Sequence, residues 1–100
     1  CFDRIPVFEN VRSCLAEGLC PGGTRRNLQY AAPHVDFASG LSEAEQLLLA
    51  DAQTSGGLII AVAEDNLSHL LDELDSRGVP TSAVIGSIFS SDIAARIEVT

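Results

Sequence analysis

Apolar and polar positions alternate with two different periods along this chain, and each period predicts its own kind of element. Phe8, Val11, Leu15 and Ala16 recur at helical spacing, which predicts an amphipathic helix from about Val7 to Glu17 with Gly18 at its C′ position. Leu67, Leu70, Leu71 and Leu74 form an i, i+3, i+4, i+7 stripe. Glu64, Asp65 and Asn66 stand before it and Arg77, Gly78 and Pro80 after it, so a second strong helix is predicted there. Ser42 and Glu45 have the S-x-x-E spacing of a capping box ahead of Leu47, Leu48 and Leu49, predicting a helix from about Glu43 to Ala50. Thr24 is placed to cap a short helix from Arg25 to Ala31, with Pro33 as its stop. His34 to Gly40 reads as a connection.

Strands are predicted from the other period. Leu58-Ile59-Ile60-Ala61-Val62 is apolar on both alternating faces, the pattern of a strand buried on both sides. Ala83 to Phe89 and Ala94 to Val99 read as two more strands, with Ser90-Ser91-Asp92 as a hairpin turn between them. Cys1 to Ile5 reads as the end of a strand. The expected fold is therefore α/β: a mixed sheet with helices packed on it, a β-α-β core from Leu58 to Phe89, and the four leucines of the stripe facing the central strand.

Composition narrows the functional classes. One hundred residues suit one domain, and an apolar share of 46% allows a single core. No window approaches the ~20 apolar residues of a membrane span, and no signal peptide is visible. A formal net charge of −8 argues against nucleic acid as a direct partner. Every cationic side chain is Arg, so the Lys that commonly meets nucleotide phosphates is absent. Cys1, Cys14 and Cys20 show no CxxC, and His34 and His69 stand far apart, which argues against a disulfide framework or a metal site. Free cysteines in a reducing cytoplasm are the expectation. The chain holds no Met and opens on Cys1, from which a fragment of something longer is expected.

Two segments carry more glycine and hydroxyl chemistry than ordinary turns need. Pro21-Gly22-Gly23-Thr24 with Asn27 precedes a helix, where backbone N–H groups favour anions and glycine admits close approach; a tight turn with a Thr cap is the plainer reading. Asp51-x-Gln53-Thr54-Ser55-Gly56-Gly57 could form an anion-holding nest of N–H groups, or simply connect a helix to a strand with its glycines at positive φ. Neither is a Walker A loop or a G-x-G-x-x-G fingerprint. Ser55 lacks the nucleophile-elbow context of a hydrolase. Asp72, Glu73 and Asp75 read as a solvated helix face.

The two segments, in this order and continuing through Leu58-Ile59-Ile60-Ala61-Val62, resemble the carboxy-terminal part of the selenophosphate synthetase (selenide, water dikinase) family. Leu15-Ala16-x-Gly18 before the first segment and Ile85-Gly86 near the end resemble it too. Ala52 stands where the family commonly has Pro, and Ala50 where it often has Cys. The resemblance implies a parent enzyme that makes selenophosphate from selenide, ATP and water, releasing AMP and phosphate. It implies magnesium and ATP held mainly by an upstream nucleotide-binding domain, two α/β domains per subunit, a homodimer and a cytoplasmic location. The family's catalytic Cys or selenocysteine, its Lys and its Asp cluster are expected upstream, so no catalytic or metal-binding residue is assigned here, and the isolated chain is expected to be inactive. Gly22, Gly23 and Thr24, with Thr54, Ser55, Gly56 and Gly57, are the candidate cofactor-facing residues. Two alternatives stand beside this reading. One is a sibling in the superfamily that the resemblance implies, that of aminoimidazole ribonucleotide synthetase, whose carboxy-terminal domain the expected fold resembles; a thiamine-monophosphate kinase or hydrogenase-maturation protein is such a sibling. The other is a stand-alone ferredoxin-like module that binds a small molecule.

Overall fold

The chain builds its packed part from three short helices, each begun and ended by local chemistry. The computed structural model describes residues 1–90, 92 and 96–100. Helix α1 spans Val11–Ala16. It starts four residues later than the apolar spacing predicts, because Asn10 at its N-cap sits at φ 68° and breaks the helical path; Asn tolerates that left-handed region better than most side chains. Phe8 consequently lies outside the helix and is exposed. At the other end Gly18 sits at φ 78°. Its N–H donates to the Leu15 carbonyl at 3.0 Å and the Leu19 N–H to that of Cys14 at 2.9 Å, the paired bonds of a Schellman motif.

Helix α2 spans Gly22–Ala31 and a single 3₁₀ turn, Ala32–His34, continues from it. The helix therefore starts three residues before Arg25, with Pro21 at the N-cap, and Thr24 lies inside its first turn without capping it. Helix α3 spans Glu43–Leu49 behind the expected capping box. The Ser42 Oγ accepts the Glu45 N–H at 3.4 Å, and the Glu45 carboxylate accepts the Ser42 N–H at 2.8 Å. Both α1 and α2 pack on α3. Leu47, 6% exposed, is its buried residue, and Phe2, 4% exposed, is the other buried apolar side chain among the described residues. Phe2 belongs to a 3₁₀ turn, Phe2–Arg4, so the amino terminus is not the strand end expected of it. The Arg12 guanidinium lies over the Phe2 ring, 4.7 Å from its centroid.

Strand β1 is Val35–Phe37, inside the segment read as a plain connection, and strand β2 is Ile97–Val99. They pair in parallel, with Val35 opposite Ile97 and Phe37 opposite Val99. The ladder is extended by the Ala38 N–H donating to the Val99 carbonyl, and the Phe2 N–H donates to the Thr100 carbonyl. Arg96 forks onto the Asp36 carboxylate, with Nη2 donating to Oδ1 at 2.6 Å and Nε to Oδ2, and its Nη1 donates to the Pro33 carbonyl at 3.2 Å. Helices plus this small two-stranded sheet make a mixed α/β fold.

The expected β-α-β core is not what the chain forms. Leu58–Val62 carries no strand and its side chains are exposed, Leu58 by 89% and Ile59 by 87%. None of the backbone hydrogen bonds among the described residues reaches this run. A two-faced apolar strand needs neighbours on both edges and both faces, and here none is in place. Ala83 to Phe89 is likewise without strand structure, and β2 pairs with β1 instead. Ser91 of the expected hairpin turn, with Ala94 and Ala95 of the third expected strand, lies outside the described residues; that strand is confined to Ile97–Val99. Helix α4, Glu64–Ser76, does form as expected. Gly78 at φ 69° closes it through a second Schellman motif, Gly78 N–H to the Asp75 carbonyl and Val79 N–H to that of Leu74. Leu67, Leu70, Leu71 and Leu74 are its half-buried positions, so the predicted face is the inward one, but no central strand lies against it.

Candidate functional site

The two glycine-rich segments meet in space. Thr24 is 1% exposed because α2 lays it against the end of α3. Its Oγ1 donates to Asp51 Oδ1 at 3.2 Å and accepts the Ala52 N–H at 3.1 Å. One turn further along α2, the Asn27 side-chain amide donates to the Ala50 carbonyl at 3.1 Å. A hydroxyl carries one donor and two acceptor sites, so Thr24 satisfies both kinds of bond at once while buried. No cap geometry is needed to explain it. Gly23 lies half-buried on the same contact, and a Cβ there would come 3.1 Å from the Ala52 Cβ. Glycine at 23 is thus what lets the start of α2 approach the 50–52 segment so closely.

The rest of the second segment behaves differently. Thr54, Ser55, Gly56 and Gly57 are exposed. Neither Gly56 nor Gly57 is at positive φ, contrary to the reading of them as conformationally required glycines. A Cβ on Gly56 would come 2.9 Å from Gln53 Oε1, the far end of a flexible side chain, and one on Gly57 would meet nothing within 4 Å. Gly22 is also exposed, with only the Arg26 guanidinium near its position for a Cβ. Of the seven candidate residues, Gly23 and Thr24 are brought into the contact between the segments, and the other five stand at its open margin.

Two shallow hollows lie along α1 and α3. One, of about 160 Å³, lies between α1 and α3 and reaches Pro21 and Asp51, the first residues of the two segments. The other, of about 240 Å³, is lined by Arg12, Leu15, Ser42, Ala44, Glu45 and Leu48. Glu45 accepts hydrogen bonds from the Ser42 hydroxyl and backbone N–H, and Arg12 stands 3.6 Å away. Together these hold the Glu45 carboxyl below its ordinary range. Cys1, Cys14 and Cys20 are free. Among the described residues no group of three His, Cys, Asp or Glu could hold a metal ion. No helix among them is long and apolar enough to cross a membrane.

The sequence pattern missed Asn27 as a partner of Ala50, and Asp51 as a partner of Thr24. The short-range signal was present, since a Thr and an Asn one helical turn apart lie on the same helix face. What they face is set by how α2 packs.

The geometry defines a small mixed α/β unit in which a glycine-bearing helix start is bonded to the polar segment after α3. No family model matches the chain, and no solved structure matches it significantly. It is similar, however, to proteins named selenide, water dikinase. It is 42% identical over 85 residues to that of Carboxydothermus hydrogenoformans, covering 85% of this chain and 24% of the relative. It is 40% identical over 86 residues to that of Myxococcus xanthus, covering 86% and 24%. It is 39% identical over 98 residues to that of Porphyromonas gingivalis, covering 96% and 27%. The chain spans about a quarter of the length of the curated relatives it matches. Over that quarter it is similar to the selenide, water dikinases.

Proposed function

We propose that this chain is the carboxy-terminal part of an enzyme that makes selenophosphate from selenide, ATP and water, with AMP and phosphate released. The observation that carries the reading is the similarity to selenide, water dikinases over 85% or more of the chain. The contact between the Gly22–Thr24 and Asp51–Gly57 segments supports it, because two segments serving one cleft must lie side by side. In this reading ATP and magnesium are held mainly by an upstream nucleotide-binding domain of the same parent. Phosphoryl transfer needs metal and positioned cations against several negative charges, and this chain has no Lys and no cluster of acidic ligands among its described residues. It contributes one wall of the cleft, with Thr54, Ser55, Gly56 and Gly57 at the margin that faces the nucleotide domain. The parent acts as a homodimer in the cytoplasm on small-molecule substrates.

The test compares the full-length enzyme with the isolated chain, each given selenide, ATP and magnesium. The full-length enzyme is expected to release AMP and phosphate in a selenide-dependent way and to show a selenophosphate signal by phosphorus NMR. The isolated chain is expected to do neither, and to give no stoichiometric heat with ATP in calorimetry. Selenide-independent turnover by the full-length enzyme refutes the reaction. Micromolar ATP binding by the isolated chain refutes its role as one wall.

A further inference from the structure

Thr24 is buried, its hydroxyl is engaged both as donor and as acceptor, and both bonds go to the first two residues of the second segment. A side chain so enclosed has no free edge to offer a ligand. Asn27 adds a third bond to the residue just before, Ala50. Three consecutive residues, Ala50, Asp51 and Ala52, are therefore held by one face of α2. Immediately beyond them the chain is exposed from Gln53 to Gly57, and no backbone hydrogen bond among the described residues reaches that stretch. The fixed end of the loop is thus its Thr24 end.

We propose that Thr24, supported by Asn27, is a positioning residue that sets the path of the Gln53–Gly57 loop toward the substrate. It touches no substrate itself. The inference rests on the cleft-wall reading above and deepens it by separating the residues that hold the loop from those that present it. Energetically the arrangement is asymmetric. Removing the hydroxyl while keeping the side chain's shape leaves a part-buried N–H and a carboxylate oxygen without their partner, whereas shortening the side chain by a methyl keeps both bonds.

The experiment uses the full-length enzyme carrying Thr24→Val or Thr24→Ser, with two readouts: amide hydrogen exchange across 52–57, and the steady-state constants for ATP. Thr24→Val is expected to speed exchange at Ala52 and through the loop at least about tenfold. It is also expected to raise the KM for ATP about tenfold, with kcat changed less than about threefold, in enzyme that remains folded by circular dichroism. Thr24→Ser is expected to stay near wild type in both. Unchanged exchange in Thr24→Val overturns the inference. So does loosened exchange with an unchanged KM, which would make the contact structural only, and so does a Thr24→Ser enzyme as impaired as Thr24→Val. Should the wild-type enzyme fail to turn over selenide, the functional reading falls. Exchange, together with ATP affinity measured by calorimetry, then still decides the role of Thr24, supporting it if both change in Thr24→Val and overturning it if either does not.

Discussion

Residues 1–51 and 52–90 carry similar shares of apolar residues and meet different fates. In the first region three short helices find one another: α1 and α2 rest on α3, and Phe2, Thr24 and Leu47 are buried. In the second, the most apolar run of the chain lies open to solvent beside a helix whose leucine face is only half covered. The whole chain exposes 7987 Å², against roughly 5,400 Å² for a compact protein of its mass. A helix satisfies its own backbone and needs a partner only for its side chains. A strand needs neighbours for its backbone as well, so the same hydrophobicity yields structure in one region and an exposed segment in the other.

The largest expected effect tests the packed region. Leu47→Ala should cost about 2–5 kcal/mol, read from denaturant unfolding of the chain. The matching change in the second region, Leu71→Ala, should cost about 1 kcal/mol, since Leu71 is half-buried. Equal costs would erase the difference between the regions. Next comes the local chemistry that lets α3 form: Ser42→Ala removes the hydroxyl that accepts the Glu45 N–H, while the backbone N–H at 42 can still donate to the Glu45 carboxylate, and should lower stability by ~1 kcal/mol in the same measurement. A Ser42→Ala chain as stable as wild type would show that packing alone holds the helix.

Acid should loosen the sheet that ties Ile97–Val99 to Val35–Phe37. The Arg96 fork, through its hydrogen bonds and its charge, holds the Asp36 carboxyl below its ordinary pKa of 3.8. A carboxylate with a depressed folded pKa adds stability that is present above its unfolded value and is lost as pH falls through the folded one. Unfolding followed from pH 6 downward should therefore show a loss setting in near pH 4 and deepening below it, and Asp36→Asn should flatten that part of the curve. An identical acid profile in Asp36→Asn would assign the loss to other carboxylates. The smallest effect belongs to the exposed run. Ile59→Thr should change the stability of this chain by less than about 0.5 kcal/mol. A cost of several kcal/mol would mean that Leu58–Val62 is buried after all.

Helix α4, the capping box at Ser42 and the two glycine stops at Gly18 and Gly78 were all legible in the sequence, because each depends on groups within about two helical turns of one another. The start of α1 was not, since it turns on the left-handed backbone of Asn10 and not on apolar spacing. For the candidate site, the two glycine-rich segments were visible as unusual, and Gly23 and Thr24 do belong to the place where they meet. The reading of the second segment with its glycines at positive φ does not hold for Gly56 and Gly57, because glycine composition does not report φ.

The sequence alone determined the leucine face of α4, the capping box that opens α3, the glycine stops at Gly18 and Gly78, and the likeness to selenide, water dikinases, all of which are carried by residue identity. Tertiary structure alone decided three things: that Val35–Phe37 would pair in parallel with Ile97–Val99, that Asp36 would meet Arg96 across 60 residues, and that Thr24 would be a buried bridge instead of a cap. The physical reason is the same in each. A strand edge, a charge and a hydroxyl all carry bonding capacity with no fixed address in the sequence, and only the packing of distant elements supplies the partner.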